Sequence, residues 1–537
     1  MNEREKGCVD SVIKLSEDLS NRLLKEKRKR ILKDFAETTS AHGCALVSKS
    51  SNLFKRSFWI TAVCIAWMLC GYQIWVAIHK YFQYQTTVSV QIRHMTNITF
   101  PAVTICNLNP IRSSWLVKSE FSLTLLDELK KSAAVLNFTE SQWKKSMESN
   151  RFADHITPEM RVIYKHLRLI YEKNVNLSEA GHNLNDMLLD CTFQSTKCTA
   201  NNFTRWEHGT YGNCYTMIVS NDQYSSFVGP LYGLSVMLYV ADKEYLARHS
   251  QGAGFKVEVH PPEYVPFPED KGFTISPGVM TSVGIKQMRI SRMPLPYDGT
   301  DCGDLHGKTD PHGSWKNASL YYKRYNRVLI NAGYPDPVNY TTQACVKSCY
   351  QRRLVNDCGC VDPSFVTRED IREFFPNESE QPSACDVVLE SSLKCVRTSI
   401  GSTTKEGICE RECPQSCHEQ GYVARITTSL WPRASYYDRI KDSWKNQIPS
   451  METMREAREA RTNLAKLEVY YEELNYESVV ESPAQDVWVL LSNIGGTLGL
   501  YVGMSFLTLG EFAELFLRCL ALPARHHLQN RSFGDKL

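Results

Sequence analysis

The chain has 537 residues, with 62 Lys+Arg against 59 Asp+Glu, 42% hydrophobic residues and 23% charged ones. This length exceeds one compact domain, and the balanced charge gives no electrostatic reason to expect a nucleic-acid partner. The ordinary composition excludes a disordered chain and a many-span transporter. Nineteen cysteines are too many for an ordinary cytosolic enzyme, so their distribution along the chain is the first question.

The first 56 residues carry 13 Lys/Arg against 8 Asp/Glu. From Phe58 to Ile78 no charged residue occurs across 21 positions, enough helix at 1.5 Å per residue to cross a bilayer core of ~30 Å. Trp59 at one end and Trp75, Tyr81 and Phe82 at the other suit interfacial aromatic belts. The polar stretch ahead of this span argues against a cleavable signal peptide. Phe100–Leu108 and Tyr232–Val240 read as β-strands. Glu120–Leu136 and Arg161–Tyr171 have helical apolar spacing, and Thr453–Leu467 is helical by propensity. The Pro-rich run His260–Pro268 reads as a surface connection. A second apolar stretch begins at Val487 and continues through Glu511 and Glu514 to Leu517.

Basic residues flank both spans on their outer sides, which places both termini in the cytosol. Residues 80–486 are then extracellular. Seven Asn-x-Ser/Thr acceptors fall there, at Asn97, Asn137, Asn176, Asn202, Asn317, Asn339 and Asn377. Fourteen cysteines fall there too: Cys106, Cys191, Cys198, Cys214, Cys302, Cys345, Cys349, Cys358, Cys360, Cys385, Cys395, Cys409, Cys413 and Cys417. An even set in an oxidising compartment favours disulfides over a metal site. The other five, Cys8, Cys44, Cys64, Cys70 and Cys519, are expected to stay thiols. The fold class is therefore an α+β membrane protein, two transmembrane helices flanking a large disulfide-rich extracellular domain.

A lipid-facing helix has no use for Gly495, Gly496, Gly499, Gly503 and Gly510. At 100° per residue Ser492, Gly496, Gly499, Gly503, Gly510 and Glu514 share one face. Close helix packing through Gly499-x-x-x-Gly503 explains the glycines but not Glu511 and Glu514, since intramembrane acids face water-filled paths. The approach to this span, Leu467–Asp486, holds six acids, among them Glu477, Glu481 and Asp486, and no Lys or Arg. Repeated by symmetry, that run would concentrate cations. One helix cannot enclose a pore, so the reading is a homo-oligomeric cation channel.

Motifs in a fixed order complete the picture. They are His42-Gly43, Phe100-Pro-Ala-Val-Thr-Ile-Cys-Asn107, Gly212-Asn-Cys-Tyr215, Cys345-x3-Cys349 with Cys358-Gly-Cys360, Cys413-Pro-Gln-Ser-Cys417 followed by Trp431-Pro432, and Gly503-Met-Ser505. By this set the chain resembles the degenerin/epithelial sodium channel family, which includes acid-sensing and peptide-gated sodium channels. The resemblance implies a trimer with palm, β-ball, knuckle, finger and thumb, and amiloride-sensitive sodium conduction with no cofactor beyond permeant sodium ions. It implies that Gly503, Met504 and Ser505 form the selectivity filter and that His42 and Gly43 form a re-entrant gating motif. The segments are then 1–57 cytosolic, 58–79 first span, 80–486 extracellular, 487–517 second span and 518–537 cytosolic. It also implies the pairs Cys106–Cys214, Cys191–Cys198, Cys345–Cys413, Cys349–Cys409, Cys358–Cys395, Cys360–Cys385 and Cys302–Cys417.

Where acid-sensing members carry a His pair beyond the first span, this chain has Gln85 and Thr86, and their aspartate before Ile-Gly-Gly is Asn493. The chain is most similar to invertebrate channels opened by amidated FMRFamide-like neuropeptides, though no peptide-binding residue can be read from the sequence. The alternatives are a proton-gated or constitutively open sodium channel, or a non-conducting cell-surface receptor. An enzyme is not expected: His418-Glu419 lacks the second His of a zinc motif, and there is no P-loop.

Overall fold

The computed structural model describes residues 22, 25–50, 52–118, 158–219, 224–246, 250, 252–297, 302–303, 319–334, 338–375, 377–387, 389–444 and 456–534. The chain divides into two compact units. One comprises Met1–Thr87, Pro296–Asp298 and Pro483–Leu537, the other Val88–Leu295 and Gly299–Ser482.

In the first unit the apolar run near residue 60 forms a 29-residue helix, Leu53–Tyr81. Only 6% of its most apolar window is buried. A core helix of a soluble protein would be mostly buried, so this surface belongs in lipid or against other chains. The second apolar stretch is not one helix. It is two, Val487–Val502 and Phe506–Gly534, bent by 74° at a three-residue break. The first of these packs against Leu53–Tyr81, where Gln73 Nε2 donates to Tyr501 Oη at 2.9 Å.

The second unit is built on two sheets. The larger runs in the order His418–Leu430, Val279–Ser291, Leu464–Pro483, Leu234–Tyr239, Leu188–Phe193, Thr196–Lys197, and Thr86–His94 also pairs with Leu464–Pro483. Val279–Ser291 and Leu464–Pro483 are parallel neighbours. The smaller sheet is antiparallel, in the order Phe273–Ile275, Phe255–His260, Ala102–Asn107, Gly212–Met217, Phe203–His208. Ala102–Asn107 and Gly212–Met217 are buried at every position. Val236, Leu238, Leu467 and Val469 of one sheet join Val103, Ile105 and Val257 of the other in a common core.

A helical part carries most of the cysteines. Thr342–Cys358 starts at Thr341, whose side chain accepts from the Ala344 N–H, and ends at Gly359, whose φ of 66° is a conformation glycine adopts freely. Arg368–Phe374 begins with a capping box of Thr367 and Asp370. Five disulfides tie this region: Cys345–Cys413, Cys349–Cys409, Cys358–Cys395, Cys360–Cys385 and Cys302–Cys417. Cys106–Cys214 bridges adjacent strands of the smaller sheet and Cys191–Cys198 closes a hairpin. These are the seven pairs the resemblance implies. Each contributes ~2–4 kcal/mol, chiefly by restricting the unfolded chain. Cys44, Cys64, Cys70 and Cys519 are free, and Cys8 lies outside the described residues.

Three local expectations change. Of the helix expected over Thr453–Leu467, residues 453–455 lie outside the described residues, the described part is helical at Ala457–Ala460, and Leu464 opens a 20-residue strand. Leu467, Val469 and Tyr471 alternate inward on that strand, and burial between two neighbours outweighs helix propensity. The run His260–Pro268 is mostly buried rather than superficial, because it carries the smaller sheet toward the helical part, where Val265 and Phe267 join the aromatic core. The strand read at Phe100–Leu108 is Ile98–Thr99 followed by Ala102–Asn107. The helix read at Arg161–Tyr171 runs Pro158–Glu172, and Glu120–Leu136 lies outside the described residues.

Candidate functional site

The break in the second apolar stretch has a local cause. Val487–Val502 ends at Gly503, with φ 68° and ψ 24°. The Gly503 N–H still reaches the Gly499 carbonyl at 3.1 Å, and the Met504 N–H reaches that of Leu498 at 3.2 Å. Ser505 starts the next helix as its N-cap. Its Oγ accepts from the Thr508 N–H at 3.3 Å, and its own N–H donates to Thr508 Oγ1 at 3.1 Å. Gly503, Met504 and Ser505 thus lie outside both helices, and helical hydrogen bonds end there. The Ser505 carbonyl accepts from the Leu509 N–H at 3.3 Å, while those of Gly503 and Met504 precede the next helix, where such carbonyls can replace part of an ion's hydration shell.

The segment before the first helix folds against this gap. The His42 N–H donates to the Val502 carbonyl at 2.9 Å. A Cβ on Gly503 would fall 2.1 Å from His42 Nδ1, and one on Gly43, whose φ is 89°, 2.4 Å from Val63 Cγ2. Both glycines are required by close approach as well as by φ. Beyond the gap, Glu511 Oε2 accepts from Thr39 Oγ1 at 2.8 Å and from the Ser40 N–H at 3.0 Å. The structure therefore brings His42, Gly43, Gly503 and Glu511 together, and adds Thr39, Ser40 and Thr508, which sequence reasoning missed. The Ser505-x-x-Thr508 capping spacing was the available signal.

Residues 35–515 match the family described as ASC, amiloride-sensitive sodium channel. The chain belongs to this family. It is similar to the epithelial sodium channel subunit gamma of Bos taurus, 25% identical over 93% of this chain and 83% of that one. It is 25% identical to the FMRFamide-activated amiloride-sensitive sodium channel of Cornu aspersum, over 92% and 83%. It is 30% identical to Degenerin deg-1 of Caenorhabditis elegans, over 66% and 41%. Members of the family are plasma-membrane ion channels, not enzymes.

For this amiloride-sensitive sodium channel homologue, the wheel and the acidic run need correction. One continuous wheel fails beyond Val502, because the 74° bend puts Gly510 and Glu514 on a different axis from Ser492, Gly496 and Gly499. Glu514 instead pairs with Arg518 at 2.5 Å. Apart from the helix's own backbone, nothing in the described residues lies within 4 Å of a Cβ built on Gly495, Gly496 or Gly499, so that face is open within one chain.

The acidic run is not a free field either. Glu468 pairs with Lys466 at 2.6 Å, Glu472 with Arg425 at 3.5 Å and Glu473 with Lys286 at 2.8 Å. Two of these cations come from other strands of the sheet, Lys286 from the adjacent one and Arg425 from the next beyond it, which the linear sequence does not reveal. Glu481 accepts from the Met293 N–H at 3.0 Å, Glu477 is exposed opposite Met288, and Asp486 caps Val487–Val502 by accepting from the Val489 N–H at 2.7 Å.

Among the acceptor asparagines, Asn97, Asn176, Asn202 and Asn377 are exposed and Asn339 is half-buried, while Asn137 and Asn317 lie outside the described residues. The second unit also contains a cavity of about 420 Å³ lined by Leu167, Tyr171, Arg205, Glu207, Arg368 and Glu369 among others. Elsewhere in this unit, burial and nearby Arg112 push His182 down to about 4, and burial does the same to His260. Burial would raise Glu269, but His208 and Lys347 against its carboxylate outweigh it and hold it at about 2.

Proposed function

We propose that the chain forms a ligand-gated, amiloride-sensitive, sodium-selective cation channel of the plasma membrane, opened by an extracellular FMRFamide-like neuropeptide. Three copies surround one pore, both termini are cytosolic, and the second unit is the glycosylated ectodomain of palm, β-ball, knuckle, finger and thumb. Gly503–Ser505 form the constriction, His42 and Gly43 buttress it from the cytosolic side, and Glu511 and Glu514 follow on that side.

The observation that carries this reading is the break itself. An otherwise apolar membrane segment gives up its helical hydrogen bonds at Gly503–Ser505, a costly arrangement in lipid unless it lines a water-filled path. The open glycine face at Gly495, Gly496 and Gly499 supports a surface that meets the other copies or the pore. For the stimulus, the Cornu aspersum channel is named as FMRFamide-activated.

The experiment is expression of the chain alone in oocytes, with current recorded as amidated peptides, then acid, then amiloride are applied. A peptide-evoked, amiloride-blocked inward sodium current is expected. Surface protein with a current that none of these alters would sink the homomeric channel. A peptide-insensitive current blocked by amiloride would move the reading to the proton-gated or constitutively open alternative. Gln85 and Thr86 in place of a His pair make the proton reading second.

A further inference from the structure

Thr508 is fully buried, at 0% exposure, yet it is a polar residue at a position where an apolar one would pack as well. Its Oγ1 lies 2.6 Å from Ser40 Oγ, with either hydroxyl able to donate. The same atom accepts from the Ser505 N–H at 3.1 Å. One hydroxyl oxygen therefore joins the last residue of the break to the segment before the first helix. That segment also holds the chain ahead of the break, through His42 N–H to the Val502 carbonyl. It holds the chain beyond the break through Thr39 and Ser40 on Glu511. The Ser505 N–H precedes the next helix and has no helical carbonyl to reach, so Thr508 is what fixes its direction.

We propose that Thr508 and Ser40 are positioning residues that set the ion preference of the pathway by fixing the Met504–Ser505 peptide, without touching the ion themselves. This rests on the reading of Gly503–Ser505 as the constriction. Removal of the Thr508 hydroxyl without change of shape, Thr508→Val, leaves the Ser505 N–H without its acceptor and cuts the Ser40 contact to this helix at Thr508. The Met504 carbonyl, which shares a peptide plane with the Ser505 N–H, then turns with it, while the Ser505 carbonyl stays held by the Leu509 N–H at 3.3 Å. Preference between monovalent ions depends on how such groups replace the hydration shell. Thr508→Ser keeps the oxygen and restores the arrangement.

The test is the reversal potential of the amiloride-blocked current of the full chain in mixed sodium and potassium. A ratio of permeabilities does not depend on how many channels reach the surface, so a merely structural role would leave it unmoved. Thr508→Val is expected to shift the ratio by about threefold to tenfold, the factor one net hydrogen bond supplies. Ser40→Ala should shift it in the same direction, and Thr508→Ser should return it to wild type. The double variant Ser40→Ala/Thr508→Val should shift it no further than Thr508→Val alone, as residues acting through one bond do.

Ser505→Ala separates the two ideas. If it leaves the ratio unchanged, the constriction reading fails. If it shifts the ratio while Thr508→Val and Ser40→Ala do not, the positioning role is overturned. If Thr508→Val does not reach the surface, Ser40→Ala decides, since it leaves the second membrane segment intact.

Discussion

Arg324 and Asp370 form a buried ion pair in the helical part of the second unit, Nη1 to Oδ2 at 2.7 Å, with side chains 7% and 0% exposed. Asp370 Oδ2 also accepts from the Thr367 N–H at 2.8 Å and from Thr367 Oγ1 at 2.9 Å, and the guanidinium lies 5.2 Å from the centre of the Trp206 ring. Arg324→Met removes the cation and leaves a carboxylate in an apolar site, which costs ~3–5 kcal/mol. Burial raises the Asp370 carboxyl above its ordinary range, while Arg324 and Thr367 pull it down. Loss of Arg324 removes one of these opposing pulls, so the folded-state value rises further. The raised value means that the folded state holds a proton the unfolded state has released. Stability is then lost as pH rises from the unfolded value of 3.8 toward the new one. The deficit of Arg324→Met should therefore grow with pH, by about 1.4 kcal/mol per unit. The double variant Arg324→Met/Asp370→Asn carries neither charge and should recover most of the loss. Urea unfolding of the detergent-solubilised chain at pH 5 and pH 7, followed by tryptophan fluorescence, measures this, with Trp206 as a neighbouring reporter. Single-variant losses below about 1 kcal/mol, a pH-independent deficit, or a double variant as damaged as the sum of the singles would refute the reasoning.

Glu258 is buried, with Oε2 unpartnered among the described residues, and burial, opposed by Lys271, pushes its carboxyl up to about 8. It should thus cost stability as pH rises from 4.5 to 8, and Glu258→Gln should flatten the thermal-stability profile in that window; an unchanged slope would count against it. Asp486→Ala should cost ~1 kcal/mol as a lost N-cap while Asp486→Ser should not. Equal conductance losses in both variants at low salt would assign its effect to charge, and a loss only in Asp486→Ala would assign it to the cap. Gly503→Ala should abolish current, because the methyl would fall 2.1 Å from His42 Nδ1 at φ 68°; wild-type current at equal surface density would show that His42 is not held there.

The sequence by itself determined the features that are linear. Uncharged apolar runs of sufficient length marked the candidate membrane segments, because crossing a hydrocarbon layer depends on composition along one helix. The segregation of cysteines between Cys106 and Cys417 marked the oxidised region. Gly503-Met-Ser505 marked the filter motif only by family resemblance, while the glycine stop and serine cap that break the helix there came from the structure. Only the tertiary structure decided what depends on neighbours distant in sequence. It turned Leu464–Leu467 into strand, because burial between Leu234–Tyr239 and Val279–Ser291 outweighs local propensity. It neutralised part of the acidic run with Arg425 and Lys286, cations far away in the chain. It also gave Glu511 to Thr39 and Ser40 and buried Thr508 against Ser40, contacts that span more than 460 residues. Hydrogen-bond partners at that separation are fixed by packing, and no periodicity in either segment encodes them.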